Sequence, residues 1–234
     1  MFPRKLASVV GIVGLAFAGS ASATFMFTFD DPTDVLLTTY DFTIDGAHVQ
    51  ATVRYGLTSI NSTTAEFDVK GINTSTGAGQ NRLVSFGVDV VTPPLTGAST
   101  TNSLPTAGEW DAVAGPVTFP GFQKVDLCSY AGPNCSGGSS LGVLMGQTDT
   151  FHLILMGAFG PLPSVTFTSP FPGKFQGVGN AGQSYEVDAC AGSTACVPGP
   201  PRPVPDNGVP EPGTLALLGL GLWGLYAAQR RKLS

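Results

Sequence analysis

The stretch Tyr40-Asp41-Phe42-Thr43-Ile44-Asp45-Gly46-Ala47-His48-Val49-Gln50-Ala51 decides the fold class. Asp-Gly is a favoured two-residue type I′ turn, because both of its positions need positive φ. A turn at Asp45-Gly46 pairs Ile44 with Ala47, Phe42 with Val49 and Tyr40 with Ala51. The intervening pairs are Thr43 with His48 and Asp41 with Gln50. Apolar residues then meet on one face and polar residues on the other. A slip of one residue would destroy the match, so the register is strongly specified. The second strand carries the alternation on through Val53, Tyr55 and Leu57, with Thr52 and Arg54 outside.

The same period of two recurs along the chain. Ala65, Phe67 and Val69 alternate with Glu66, Asp68 and Lys70. Val84, Phe86, Val88 and Val90 alternate with Ser85, Gly87 and Asp89. Phe151, Leu153 and Leu155 form another inward set, with Ile154 and Met156 blurring its polar face, and Val165 and Phe167 make a shorter one. Gly77-Ala78-Gly79, Pro93-Pro94, Gly137-Gly138 and Gly160-Pro161 mark turns. No segment between residues 24 and 208 carries a helical stripe. Only 12% of the residues are charged, while Gly and Pro number 31 and 19. The expectation is an all-β chain, a single β-sandwich or jelly-roll-like domain over residues 24–196.

The two ends read as addresses rather than fold. Arg4 and Lys5 precede an apolar run over residues 6–18, and Ala21-Ser22-Ala23 is a small-x-small cleavage pattern. Residues 1–23 are therefore a signal peptide, cut between Ala23 and Thr24. Residues 197–208 hold Pro198, Pro200, Pro201, Pro203 and Pro205, which favours a polyproline II linker standing off a membrane. Next come Val209-Pro210-Glu211-Pro212-Gly213, an apolar run over 214–228, and Arg230-Arg231-Lys232. The two prolines keep the motif extended and remove two N–H donors, leaving it open to a processing enzyme. As a helix the run would span about 22 Å, short of the roughly 30 Å hydrocarbon core. The basic cluster is a membrane stop that keeps its own end in the cytoplasm, with everything before the run outside.

Charge follows from the same division. Of 11 basic and 16 acidic residues, two basic residues lie in the leader, and three basic and one acidic in the tail. Six basic residues then face 15 acidic ones between 24 and 208, a net charge near −9. Such a surface repels phosphate backbones, so nucleic acid is excluded as a partner.

Residues 209–234 closely resemble the PEP-CTERM sorting signal: a Pro-Glu-Pro motif, a short apolar helix and a basic end, in that order. The resemblance implies recognition by an exosortase, a membrane cysteine transpeptidase that removes the tail. Signal peptidase and the Sec translocon would act first. The chain would cross the inner membrane, be anchored transiently, and end at the cell surface or in the extracellular matrix, where exopolysaccharide is the candidate partner. The stretch from Cys128 to Gly138, residues 83–90 and residues 146–151 are similar to the cistern subgroup of PEP-CTERM proteins. That similarity spans about residues 40–190 and implies an exported β domain with paired cysteines.

Four cysteines, Cys128, Cys135, Cys190 and Cys196, all lie in the body. Export favours disulfides. Proximity suggests Cys128 with Cys135 and Cys190 with Cys196, although three connectivities are possible. The spacings are too long for a zinc knuckle.

Other motifs carry less chemistry. Gly138-Ser139-Ser140-Leu141-Gly142 matches the hydrolase pattern at Ser140, but no helix follows to make a nucleophile elbow, and only His48 and His152 could act as base. Gly177-Val178-Gly179-Asn180-Ala181-Gly182 matches a dinucleotide pattern, but residues 184–188 read as a strand where a helix is required. Asp30, Asp31 and Asp34 lack the fixed spacing of a Ca²⁺ loop and read as solvated turn residues. Glu109 and Asp111 flank Trp110, and with Phe119 and Phe122 these could make a carbohydrate-binding face. The expectation is an exported surface or matrix protein with no catalytic, cofactor or metal residues. A carbohydrate- or calcium-binding β-module is the first alternative and a hydrolase the second.

Overall fold

The computed structural model describes residues 24–102, 110–119, 122, 124–136, 140–192 and 201–203. The strands are β1 (Met26–Phe29), β2 (Val35–Ile44), β3 (Ala47–Ile60), β4 (Thr64–Asn73), β5 (Thr76–Gly77), β6 (Gly79–Thr92), β7 (Leu95–Asn102) and β8 (Trp110–Thr118). They continue with β9 (Lys124–Ala131), β10 (Thr148–Gly157), β11 (Val165–Thr168), β12 (Pro172–Val178), β13 (Gln183–Asp188), β14 (Cys190–Ala191) and β15 (Arg202–Pro203). They form two antiparallel sheets, consistent with a β-sandwich. One sheet runs β14-β2-β3-β4-β10-β7, with β5 added to β3. The other is built on β6, which pairs with β9, β11 and β12. Strand β8 lies beyond β9, β1 beyond β11, and β13 then β15 beyond β12.

The β2–β3 hairpin has the register expected of it, from Ile44 opposite Ala47 to Tyr40 opposite Ala51. Asp45 and Gly46 take φ of 47° and 79°, as a type I′ turn requires. The Asp45 carbonyl accepts the Asn180 N–H at 3.1 Å, and its carboxylate accepts the Ala181 N–H at 2.7 Å. The hairpin tip is thereby tied to the β12–β13 turn, and one end of the sandwich is closed. The Gly177–Gly182 motif is that turn, followed by strand β13.

Inward residues of both sheets meet in a core rich in aromatic rings. Phe167 lies 5.0 Å from Phe29, 5.5 Å from Tyr55 and 5.6 Å from Phe67, ring centre to ring centre. The expected inward sets on β3, β4, β10 and β11 are all in this core. Val84 is the exception. The β6–β12 register slips between Ser85 and Leu83, and this bulge shifts the parity. Leu83 takes the core position, while Val84, though buried, is not part of that cluster.

The expected outer face of β6 is also covered. Phe119, Val125, Cys128 and Cys135 form a second, small apolar cluster there. A side chain at Gly87 would meet Val125 at 3.0 Å, so its glycine makes room for that cluster. The linker is not wholly a free stalk either. Arg202 and Pro203 pair with Glu186 and Tyr185 on the edge of β13.

Candidate functional site

Of the residues named for sorting and processing, only Thr24 is described, and it is exposed. Ala21, Ala23, Val209, Pro210, Glu211, Pro212, Arg230, Arg231 and Lys232 lie outside the described residues, as do the signal peptide and the apolar run. Cys128 and Cys135 are joined by a disulfide, with Cα atoms 6.3 Å apart. Cys190 is also disulfide-bonded, and its expected partner, Cys196, lies outside the described residues.

Among the described residues neither histidine hydrogen-bonds to Ser140. Ser140 is exposed in a segment that leads to strand β10. His48 stands on the outer face of β3, its Nε2 at 2.9 Å from the Asp41 carboxylate. His152, on the outer face of β10, has Nδ1 at 3.2 Å from Asp68 and Nε2 at 3.5 Å from Glu66. Both rings are thus engaged with carboxylates across neighbouring strands, as cross-strand neighbours on one sheet face are.

The carbohydrate face is corrected by the structure. Trp110 is 2% exposed, stacks on Phe151 at 5.1 Å and donates its indole N–H to Asp149 at 2.9 Å. This bond joins β8 of one sheet to β10 of the other, so the ring is a staple of the sandwich. Phe119 is fully buried, and half-buried Phe122 packs against its edge. An indole or benzene ring inside the core offers no face to a sugar. Glu109 lies outside the described residues, and Asp111 accepts the Tyr130 hydroxyl at 3.2 Å. Burial and the neighbouring Asp111 push the Tyr130 phenol up.

The Asp30, Asp31 and Asp34 carboxylates mostly serve their own turn. Asp34 accepts the N–H groups of Asp30 and Asp31, each at 2.9 Å. Asp31 accepts the N–H and hydroxyl of Thr33, which holds its carboxyl below the usual range.

Sequence reading missed two arrangements. At the far end of β6, Asp89 faces Asp126 on β9. Asp126 accepts the Val90 N–H at 3.1 Å and lines a cleft with Val90, Pro94, Leu95, Gly115 and Pro116. Burial, and then the Asp126 charge, push the Asp89 carboxyl up to about 6. The native state therefore holds this proton more tightly than the unfolded chain does. Its contribution is complete below the unfolded value and is lost as pH rises through about 6. Asp89→Asn should stabilise the protein at pH 8 by about 1 kcal/mol, since solvent screening discounts a partly exposed group. Melting temperatures of both forms at pH 4 and pH 8 check this: the gap should widen at pH 8, and parallel curves would refute it. The signal available was an acid inside an apolar run.

The second missed arrangement is a polar line across the outer face of the β6 sheet. Asp111, Tyr130, Ser85, Lys174 and Glu186 occupy matching register positions on β8, β9, β6, β12 and β13. Lys174 and Glu186 are 3% and 0% exposed. Their burial on an outer face needs a cover, and the segment after Cys128 lies over them. Ser85 donates its hydroxyl to the Cys135 carbonyl at 3.0 Å, and Lys174 donates to the Ser136 carbonyl. Desolvation lowers the Lys174 ammonium, opposed by the charge of Glu186.

Compared with known proteins, the chain matches the PEP-CTERM protein-sorting motif over residues 208–232. No curated protein and no solved structure matches it. The motif marks a secreted chain directed to an exosortase. The match covers the sorting signal and does not reach the body.

Proposed function

We propose that this protein is cargo of an exosortase: an exported cell-surface or exopolysaccharide-matrix protein with no catalytic activity of its own. The observation that carries the reading is the sorting motif at residues 208–232. Residues 209–212 would be the segment that the enzyme reads, and Arg230, Arg231 and Lys232 would hold the tail until it is cut. The β-sandwich suits a matrix role. Antiparallel pairing, the Cys128–Cys135 disulfide and a core closed from both sheets hold the body in shape. The acidic body also disfavours retention on anionic surfaces by charge alone.

Support for the non-catalytic part is local. The two histidines face carboxylates on an exposed sheet face, and Ser140 is not on a strand-to-helix elbow. The test is localisation with and without the exosortase. With the enzyme, trimmed chain should be found in the surface and polysaccharide fractions. Without it, uncut chain should accumulate at the membrane. Equal release of trimmed chain in both strains would overturn the reading.

A further inference from the structure

We propose that residues 132–136 form an oxidation-closed strap over Lys174. Forming the Cys128–Cys135 bond would seal Lys174 and Glu186 from water, and the dithiol form would leave them open. The proposal rests on the export reading, because the chain is made in a reducing compartment and reaches an oxidising one. The geometry points to closure through the disulfide. The strap leaves β9 at Ala131 and turns through Gly132, Pro133 and Asn134, of which the last two are exposed. It is then drawn back so that Cys135 joins the apolar cluster of Phe119, Val125 and Cys128.

Its fastenings to other strands include the Ser85 hydroxyl on the Cys135 carbonyl and the Lys174 ammonium on the Ser136 carbonyl. The Asn134 side-chain Oδ1 also accepts the Ser136 N–H at 2.9 Å, but that bond lies within the strap. Against these bonds stands the desolvation of Lys174 and Glu186, which favours water over the strap. The covalent bond restricts the open ensemble and tips the balance. In the closing step, the Cys128 and Cys135 thiols lose two electrons and two protons. An acceptor disulfide of the oxidising compartment receives them by thiol–disulfide exchange and leaves as two thiols. Lys174 also faces the buried Glu186 carboxylate, its register partner on β13. Its ammonium acts as the pin on which the strap seats.

The test is amine labelling of the full chain with an N-hydroxysuccinimide ester, read by peptide mass. Oxidised protein is compared with protein unfolded, reduced and refolded in dithiothreitol. Lys124, exposed on β9, is the internal reference. In oxidised protein Lys174 should react at least about tenfold more slowly than Lys124, and reduction should raise the ratio about tenfold. A Lys174 that stays protected in a reduced chain with native circular dichroism would overturn the proposal. So would a Lys174 as reactive as Lys124 in the oxidised chain. If the reduced chain loses its sheets, oxidised Lys174→Met carries the test through hydrogen exchange. Amides of 132 and 134–136 should exchange about tenfold faster than in the parent, and unchanged exchange would overturn the pin. Labelling is read on purified chain whatever the state of its tail. Its failure leaves sorting untouched, and an unprocessed tail counts against sorting alone.

Discussion

Replacing Glu211 by alanine should leave the tail uncut, so that full-length chain from Thr24 to Ser234 collects at the membrane. The reason lies in what the segment offers a reader. Pro210 and Pro212 fix φ and remove their own N–H groups, so the backbone is extended and cannot pair fully in a sheet. Glu211 is the only charged side chain between Asp206 and Arg230. An enzyme working at a membrane has one carboxylate here to recognise, and alanine deletes it without freeing the backbone. Loss of a charge-assisted contact in a dry site is worth about 2–4 kcal/mol, or about 30- to 1,000-fold in rate. Glu211→Asp keeps the charge and should recover part of that loss, and Glu211→Gln separates charge from shape. Quantifying cut and uncut chain by intact mass gives the rate. Trimming of the alanine variant at the parent rate would end the sorting account.

Phe167→Ala should cost about 3–5 kcal/mol of folding stability, a large share of the 5–15 kcal/mol that a domain has. Phe167 is fully buried on β11 and touches rings from three other strands: Phe29 on β1, Tyr55 on β3 and Phe67 on β4. It is the place where the β6 sheet presses on the β3–β4 hairpin. Truncation leaves a cavity lined by rings that cannot collapse without moving both sheets. Phe167→Leu keeps most of the volume and should cost under about 2 kcal/mol. Equilibrium denaturation under oxidising conditions measures both. A loss below about 1 kcal/mol for alanine would mean that the two sheets do not meet there.

What could be read in advance divides along physical lines. The β2–β3 hairpin was legible to the residue because its turn and its alternation are local and agree. Strands β4, β10 and β11 were legible for the second reason alone. Strand β12 was not, since Pro172-Gly173-Lys174-Phe175-Gln176-Gly177-Val178 holds a proline and two glycines and shows no apolar alternation. Gly173 is there because a Cβ would lie 2.4 Å from the Tyr40 ring, a tertiary demand that no local pattern displays. Strand β7, rich in Thr and Ser, is half-covered by its neighbours and has no apolar period to show. The bulge at Val84 belongs to the β6–β12 pairing rather than to β6.

The sites divide in the same way. The sorting signal is a linear message, complete within two dozen residues, so it was legible without a fold. Trp110 was misread because an indole between two acids looks the same on a surface as in a core. Its partner Asp149 is 39 residues away. The line from Asp111 to Glu186 gathers residues from five strands, and only the register brings them together.

Intact-mass analysis of the native exported protein tests the central claim most directly. The account expects a chain beginning at Thr24, lacking the residues after the Pro-Glu-Pro motif, with its cysteines oxidised. Recovery from the cytosol of all 234 residues, with four free thiols, would contradict it.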